Sequence, residues 1–255
     1  MYETQSDNQH PYGVTVLYGG SGTGKTTLLA RAVAEHCQYA PTVVLDVTHD
    51  LRELLVGSQH SPRTLHPNVT VHYYTSLEGY EWSLKQWFMT FSAGDIVFIG
   101  PPEKGGDPSE SIRLFTAILT STKHSKRFSV YVCDEAELLF SNNQFSRQYD
   151  NAIYTARNRH ASIYLAAKRP TRIPTNVRSC AMRAVVFKLR ADADARATEE
   201  LGPSELFRDR VQNLTIGKGL YYCGQGPGEE LPILDSRESP IPWLETAPEV
   251  YSKRR

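Results

Sequence analysis

The sequence predicts an α/β fold with a mainly parallel central sheet and helices on both faces. Three observations predict it. Short apolar, β-branched or aromatic runs recur along the chain. Helical patterns lie between many of them. One run leads directly into a glycine-rich turn and then a helix. Strands that alternate with helices form βαβ units, whose crossovers lay helices on the faces of a parallel sheet.

The elements follow in order. Val14–Tyr18 reads as the first strand, and Lys25–Cys37 as the first helix. Thr42–Asp46, Val69–Tyr74 and Ile96–Ile99 are further strands. Gly100–Pro108 is a Pro/Gly-rich loop, and Ser109–Thr122 is a helix. Phe128–Cys133 is almost continuously apolar, as a strand buried on both sides should be. Asn143–Asn158 is helical, and Ser162–Ala166 and Ala184–Leu189 are strands. Two helices, Ala191–Leu201 and Ser204–Gln212, precede a strand at Leu220–Cys223. No internal repeat is visible. The expected organisation is one domain over residues 1–223, opening with a short polar extension at 1–13. Residues 224–255 are rich in Pro, Gly and Glu and read as an extended arm or tail.

Composition sets outer bounds. The chain has 255 residues, with 28 Lys plus Arg against 28 Asp plus Glu. A formal charge of zero excludes a histone-like polycation and a polyacidic tail protein. It also speaks against a strongly basic nucleic-acid binder. The sum conceals segregation. Residues 157–190 hold nine basic and no acidic side chains, whereas residues 191–238 hold ten acids and five bases. Four scattered cysteines lack C-x-x-C spacing, which argues against zinc and against a disulfide framework. The polar N-terminus has no apolar signal core. No apolar run nears the roughly 20 residues that span a bilayer. The expectation is a soluble, cytoplasmic chain.

The chemistry starts at Gly19-Gly20-Ser21-Gly22-Thr23-Gly24-Lys25-Thr26, which matches G-x-x-x-x-G-K-S/T. A strand precedes it and a helix follows, as this phosphate loop requires. Glycines let backbone N–H groups close around phosphate oxygens where a Cβ would clash. The helix turns its positive end toward the anion. The expected nucleotide-binding residues are Gly20, Ser21, Gly22, Thr23, Gly24, Lys25, Thr26 and Thr27. Lys25 reaches the β- and γ-phosphates, and Thr26 offers its hydroxyl to Mg²⁺. The fold class narrows to a P-loop NTPase of RecA/ASCE type, with ATP and Mg²⁺ as cofactors.

A second signal lies where the Phe128–Cys133 strand ends in Asp134-Glu135. An acid at this position holds the Mg²⁺ shell in P-loop NTPases. Asp134 takes that role, and Glu135 is the candidate general base for water. The alternative for Asp134 is a helix cap. A small-molecule kinase has no obvious use for the second carboxylate, so the pair favours hydrolysis. Lys168 follows the next strand and is a candidate to face the γ-phosphate; its alternative is a solvated loop lysine. The basic block has three candidate uses: neutralising nucleotide phosphates, supplying an arginine finger to a neighbour, or contacting a nucleic-acid backbone. Pairing with the acidic segment that follows is the fourth reading.

Taken together, Ala156 to Pro170, Ile173-Pro174-Thr175-Asn176-Val177-Arg178-Ser179, and the later Glu200-Leu201-Gly202 and Gly217-Lys218-Gly219 resemble the FtsK–HerA superfamily of DNA-pumping ATPases. The resemblance runs from about Val14 to Cys223. It implies a ring, most often a hexamer, around double-stranded DNA. It implies a sensor strand lying between the two strands that carry the phosphate loop and the acidic pair. It implies an arginine finger from a neighbour, with Arg157 the first candidate and Arg178 and Arg183 its rivals. Relatives usually carry Gln where this chain has Lys168, which offers a point charge in place of an amide. The short length resembles the genome-packaging ATPases of tailless, membrane-containing icosahedral viruses. That implies work in the host cytoplasm or at a virion packaging vertex, with capsid-vertex or inner-membrane proteins as partners. A plasmid-transfer or secretion motor, a nucleotide switch with little turnover, and a small-molecule kinase are the alternatives.

Overall fold

Among the described residues of the computed structural model, nine strands form one sheet. They are β1 (Gly13–Tyr18), β2 (Thr42–Leu45), β3 (Thr70–Tyr74), β4 (Asp95–Ile99), β5 (Ser129–Cys133), β6 (Ala161–Ala167), β7 (Ala181–Phe187), β8 (Lys218–Tyr222) and β9 (Ile233–Asp235). Their order is β3-β4-β2-β5-β6-β1-β7-β8-β9. All pairs from β3 to β7 are parallel. The β7–β8 and β8–β9 pairs are antiparallel. The structure describes residues 12–57, 65–76, 84–122, 128–141, 151–156, 158, 160–198, 205–223 and 231–244.

The helices include α1 (Lys25–His36), α2 (Asp50–Val56), α3 (Leu84–Met89), α4 (Ser109–Ser121) and α5 (Glu137–Phe140). Short helices follow at Thr175–Ser179 and Asp192–Arg196, and a longer one at Glu205–Asn213. Alternation along the strands builds a core on each face. Val14, Val16 and Tyr18 of β1 join Leu114, Phe115 and Ile118 of α4 on one side. Leu17 joins Leu28, Leu29 and Val33 of α1 and Leu51 and Leu55 of α2 on the other. Each such side chain stabilises the fold by about 1.5–3 kcal/mol when fully buried. The central strands β1, β5 and β6 are buried along their whole length, whereas β3 at one edge is half-exposed. That fits a parallel sheet covered on both faces.

The expected arm differs from the structure in its described part. Residues 231–244 are built into the fold. Ile233–Asp235 extends the sheet as β9, and Trp243 is fully buried. The Trp243 indole N–H donates to the Tyr164 hydroxyl at 2.7 Å. The physical reason is non-local: β8 offers a free edge, and the α1 face offers a site for an indole. The expected helix Asn143–Asn158 falls largely outside the described residues, with residues 151–154 helical. The N-terminal extension lies outside them up to residue 11. Among the described residues no helix is long and apolar enough to cross a membrane.

Candidate active site: a phosphate loop with an acidic strand end

The phosphate loop leaves β1 with its backbone held on both sides. The Gly19 N–H donates to Ala167 O at 3.2 Å, and the Gly20 N–H to Lys188 O at 3.1 Å. The loop therefore emerges between the ends of β6 and β7. Gly22 and Gly24 have φ of 71° and 111°, in the left-handed region that favours glycine. Gly24 is also sterically confined. A Cβ there would lie 2.7 Å from Ser236 Oγ and 3.1 Å from Gly217 Cα. Helix α1 begins immediately after it, so the helix N-terminus points at the loop. Thr26 and Thr27 are half-buried in its first turn.

Lys25 is buried, and its Nζ donates to Gly19 O at 2.6 Å and Gly20 O at 2.9 Å. Burial holds its pKa below the usual lysine value, opposed by the charges of Asp134 and Glu137. Thr23 closes the loop by donating from Oγ1 to Gly20 O at 2.8 Å.

The acidic pair sits where the sequence places it. Asp134 is buried, and Thr26 Oγ1 donates to its Oδ2 at 2.9 Å. Burial raises the Asp134 pKa to about 6; the Thr26 bond and Lys25 oppose the shift, and Asp46 and Glu135 add to it. A buried carboxylate beside a hydroxyl is the hard oxygen set that Mg²⁺ takes, usually together with phosphate oxygens and water. The residues present fit that ion. Glu135 follows with φ of 68°, an uncommon left-handed conformation for a non-glycine residue. The turn directs its carboxylate to the Lys168 ammonium, to which it is hydrogen-bonded. That bond raises the Lys168 pKa.

Strand β6 lies between β5 and β1, as the sequence resemblance implies. Cys133 of β5 stands beside Leu165 of β6, and Leu17 of β1 beside Ala166. This register brings Lys168 and Glu135 together. Sequence reasoning missed Glu137, whose Oε1 accepts the N–H groups of Lys168 and Arg169 and so fixes the loop after β6. It also missed Asp46, buried at the end of β2, whose carboxylate accepts the Leu51 and Arg52 N–H groups. An acid at a strand end was the available signal for Asp46. An acid one turn beyond Asp134 was the signal for Glu137.

The basic block divides. Arg183 is 1 % exposed and donates to Thr15 Oγ1 at 3.1 Å and Tyr12 O at 2.9 Å, with its guanidinium 5.9 Å from the Trp243 ring. Its rank as a finger is corrected: it is a core residue that satisfies buried acceptors. Arg178 donates to Ala197 O at 2.8 Å and Thr175 Oγ1 at 3.1 Å, so it ties its own chain together. Arg157 lies outside the described residues. In the Gly100–Pro108 loop, Lys104 is held by Asp50 at 2.8 Å and Glu53 at 3.5 Å. Arg169 and Arg172 are exposed and line an open cleft with Glu135, Leu138 and Phe140.

The AAA domain model matches residues 8–169, spanning the phosphate loop, Asp134, Glu135 and Lys168. The chain belongs to the AAA domain family. It is accordingly a P-loop ATPase. Solved structures share the fold of this AAA domain ATPase over nearly its whole length. The genome packaging NTPase B204 from Sulfolobus turreted icosahedral virus 2, in complex with AMPPCP, has a TM-score of 0.59 and 18% identity, covering 91% of this chain and 100% of that chain. VirB4 of Thermoanaerobacter pseudethanolicus has a TM-score of 0.59 and 11% identity, covering 90% of each chain. The pCW3 conjugation coupling protein TcpA, with ATPγS, has a TM-score of 0.51 and 11% identity, covering 98% of this chain and 67% of that chain. No curated protein matches the chain.

Proposed function

We propose that this AAA domain ATPase is a double-stranded DNA translocase that packages a viral genome. The observation that carries the reading is the end-to-end match in fold to a genome packaging NTPase, at 91% of this chain and 100% of the other. The reading includes a homo-oligomeric ring, most often a hexamer in the resembling family. ATP lies on Gly20 to Thr27. The N–H groups of the loop and Lys25 Nζ bind the β- and γ-phosphates, so the Gly19 and Gly20 carbonyl bonds of Lys25 exchange for phosphate oxygens. Thr26 and Asp134 would hold Mg²⁺, which supplies charge neutralisation on the phosphates. Glu135 accepts a proton from water as its oxygen attacks the γ-phosphorus, and ADP leaves with the broken bridging oxygen. Lys168 donates to the γ-phosphate after parting from Glu135, which frees the base. Arg157 of a neighbouring subunit stabilises charge on the transferring group. Contacts to DNA fall on phosphates, because a pump must accept any sequence. The proposed partners are DNA, further copies of the chain, and capsid-vertex or inner-membrane proteins. The proposed place is the host cytoplasm or a virion vertex.

The equally high fold match to VirB4 favours a second reading, a plasmid-transfer or secretion motor. Glu135→Gln tests the chemistry common to both. Turnover should fall by about a hundredfold or more with ATP affinity retained; unchanged turnover removes Glu135 from the step. Duplex DNA should raise ATPase activity, and with ATP the protein moving along a linear duplex should strip a bound third strand from it. Phosphorylation of a metabolite without DNA stimulation would mark a kinase instead. Binding with little turnover would mark a switch.

A further inference from the structure

The segment 231–244 belongs to no part of the chemistry described so far, yet it touches the phosphate loop from behind. The Gly217 N–H, at the turn before β8, donates to Thr23 O at 3.0 Å. A planar trans peptide points its C=O and N–H in opposite directions. Pinning the Thr23 carbonyl outward therefore aims the Gly24 N–H inward, into the cradle that receives phosphate oxygens. Gly217 is fixed in turn. The Ser236 N–H donates to Gly217 O at 2.7 Å. The Ser236 carbonyl accepts Arg31 Nη1 at 3.0 Å, and Ser239 O accepts Arg31 Nη2 at 2.8 Å. Arg31 stands on α1, the helix that the phosphate loop itself begins. The contacts close a ring from Thr23 to Gly217, Ser236, Arg31 and back along α1. Ser236 is 1 % exposed, and its side chain fills the space behind Gly24.

We infer that Arg31 and the 231–244 segment are positioning elements of the nucleotide site, holding the Thr23–Gly24 peptide in its anion-binding orientation. The inference rests on the reading that this loop binds ATP. A loop held in place before binding loses less entropy when nucleotide arrives, so the effect falls on affinity. Arg31 touches no reacting atom.

The test uses the full chain, a fluorescent ATP analogue for Kd, steady-state ATPase kinetics and thermal unfolding. Arg31→Ala opens the ring. Kd and KM should rise together by about threefold to tenfold, the scale of one ordinary hydrogen bond's net contribution, with a smaller change in kcat at saturating ATP. Arg31→Lys keeps one donor group and should lie between wild type and Arg31→Ala; if the alanine variant fails to fold, the lysine variant carries the test. A lower Tm with unchanged Kd in both variants overturns the inference and leaves Arg31 a structural tie. A wild-type chain that binds no nucleotide overturns the ATP reading and this inference with it.

Discussion

A buried histidine shows how one side chain reports on its surroundings. His36 ends α1 and is fully buried. Its Nε2 lies 2.5 Å from the Tyr164 hydroxyl, which also accepts the Trp243 N–H. The hydroxyl has one proton, and Trp243 already occupies an acceptor position. In the neutral His36 tautomer protonated at Nδ1, Nε2 accepts the Tyr164 hydroxyl proton while the hydroxyl oxygen accepts from Trp243. Burial, with Arg183 nearby, lowers the His36 pKa from 6.5 to about 3. Between those values the unfolded chain binds a proton there that the folded chain refuses. Stability from this group is present above pH 6.5 and is lost as pH falls toward 3, by up to about 1.4 kcal/mol per pH unit. His36→Gln keeps an acceptor for Tyr164 without a titrating ring. Urea unfolding of both proteins from pH 7.5 to 4 should show a shallower loss in the variant below pH 6.5. Parallel curves would mean that His36 already charges in the folded state.

At the scale of elements, legibility followed locality. The strands were readable because β1, β2, β5 and β6 are near-continuous apolar runs, and α1 because its buried stripe Leu28, Leu29, Ala32, Val33 and His36 repeats at helical spacing. Helices α2, α3 and α5 were not readable. They span seven, six and four residues, too short for a period to show, and depend on tertiary packing. The phosphate loop and Asp134-Glu135 were legible as local strings. The Glu135–Lys168 pair was not, because only the β5–β6 register joins residues 33 apart. By composition residues 224–255 read as an arm, whereas in the described part, 231–244, Trp243 bonds to Tyr164 and packs its ring against Tyr221 at 5.3 Å between centroids. This anchor has a measurable strength. Trp243→Ala should cost about 3–5 kcal/mol in urea unfolding, the usual range for a buried aromatic. Trp243→Phe keeps most of the apolar volume but leaves Tyr164 without its indole donor, and should cost about 1–2 kcal/mol. A cost below 1 kcal/mol for the alanine variant would mean that the segment is only loosely seated.

For the molecule as a whole, the zero net charge turns out to be a sum over unlike places. Arg183 of the basic block is in the core, Arg178 ties the Ala197 carbonyl to the Thr175 hydroxyl, and Lys104 is matched by Asp50 and Glu53. Arg169 and Arg172 are exposed and sit beside Glu135 at the carboxyl edge of the sheet, where strand ends meet ligands. In a closed ring with head-to-tail interfaces, each site would join one subunit's phosphate loop to the next subunit's arginine. Arg157→Ala and Lys25→Ala should each abolish ATPase activity alone. In an equal mixture, about one quarter of the interfaces pair an intact phosphate loop with an intact Arg157. Activity should return to at most that fraction of wild type, rising with the time allowed for subunit exchange. Co-expression of the two variants, with the oligomer isolated by size-exclusion chromatography before assay, checks it. A mixed oligomer that stays inactive would show that Arg157 acts within its own subunit, and a trans finger would have to be sought at Arg169 or Arg172, the exposed arginines beside Glu135.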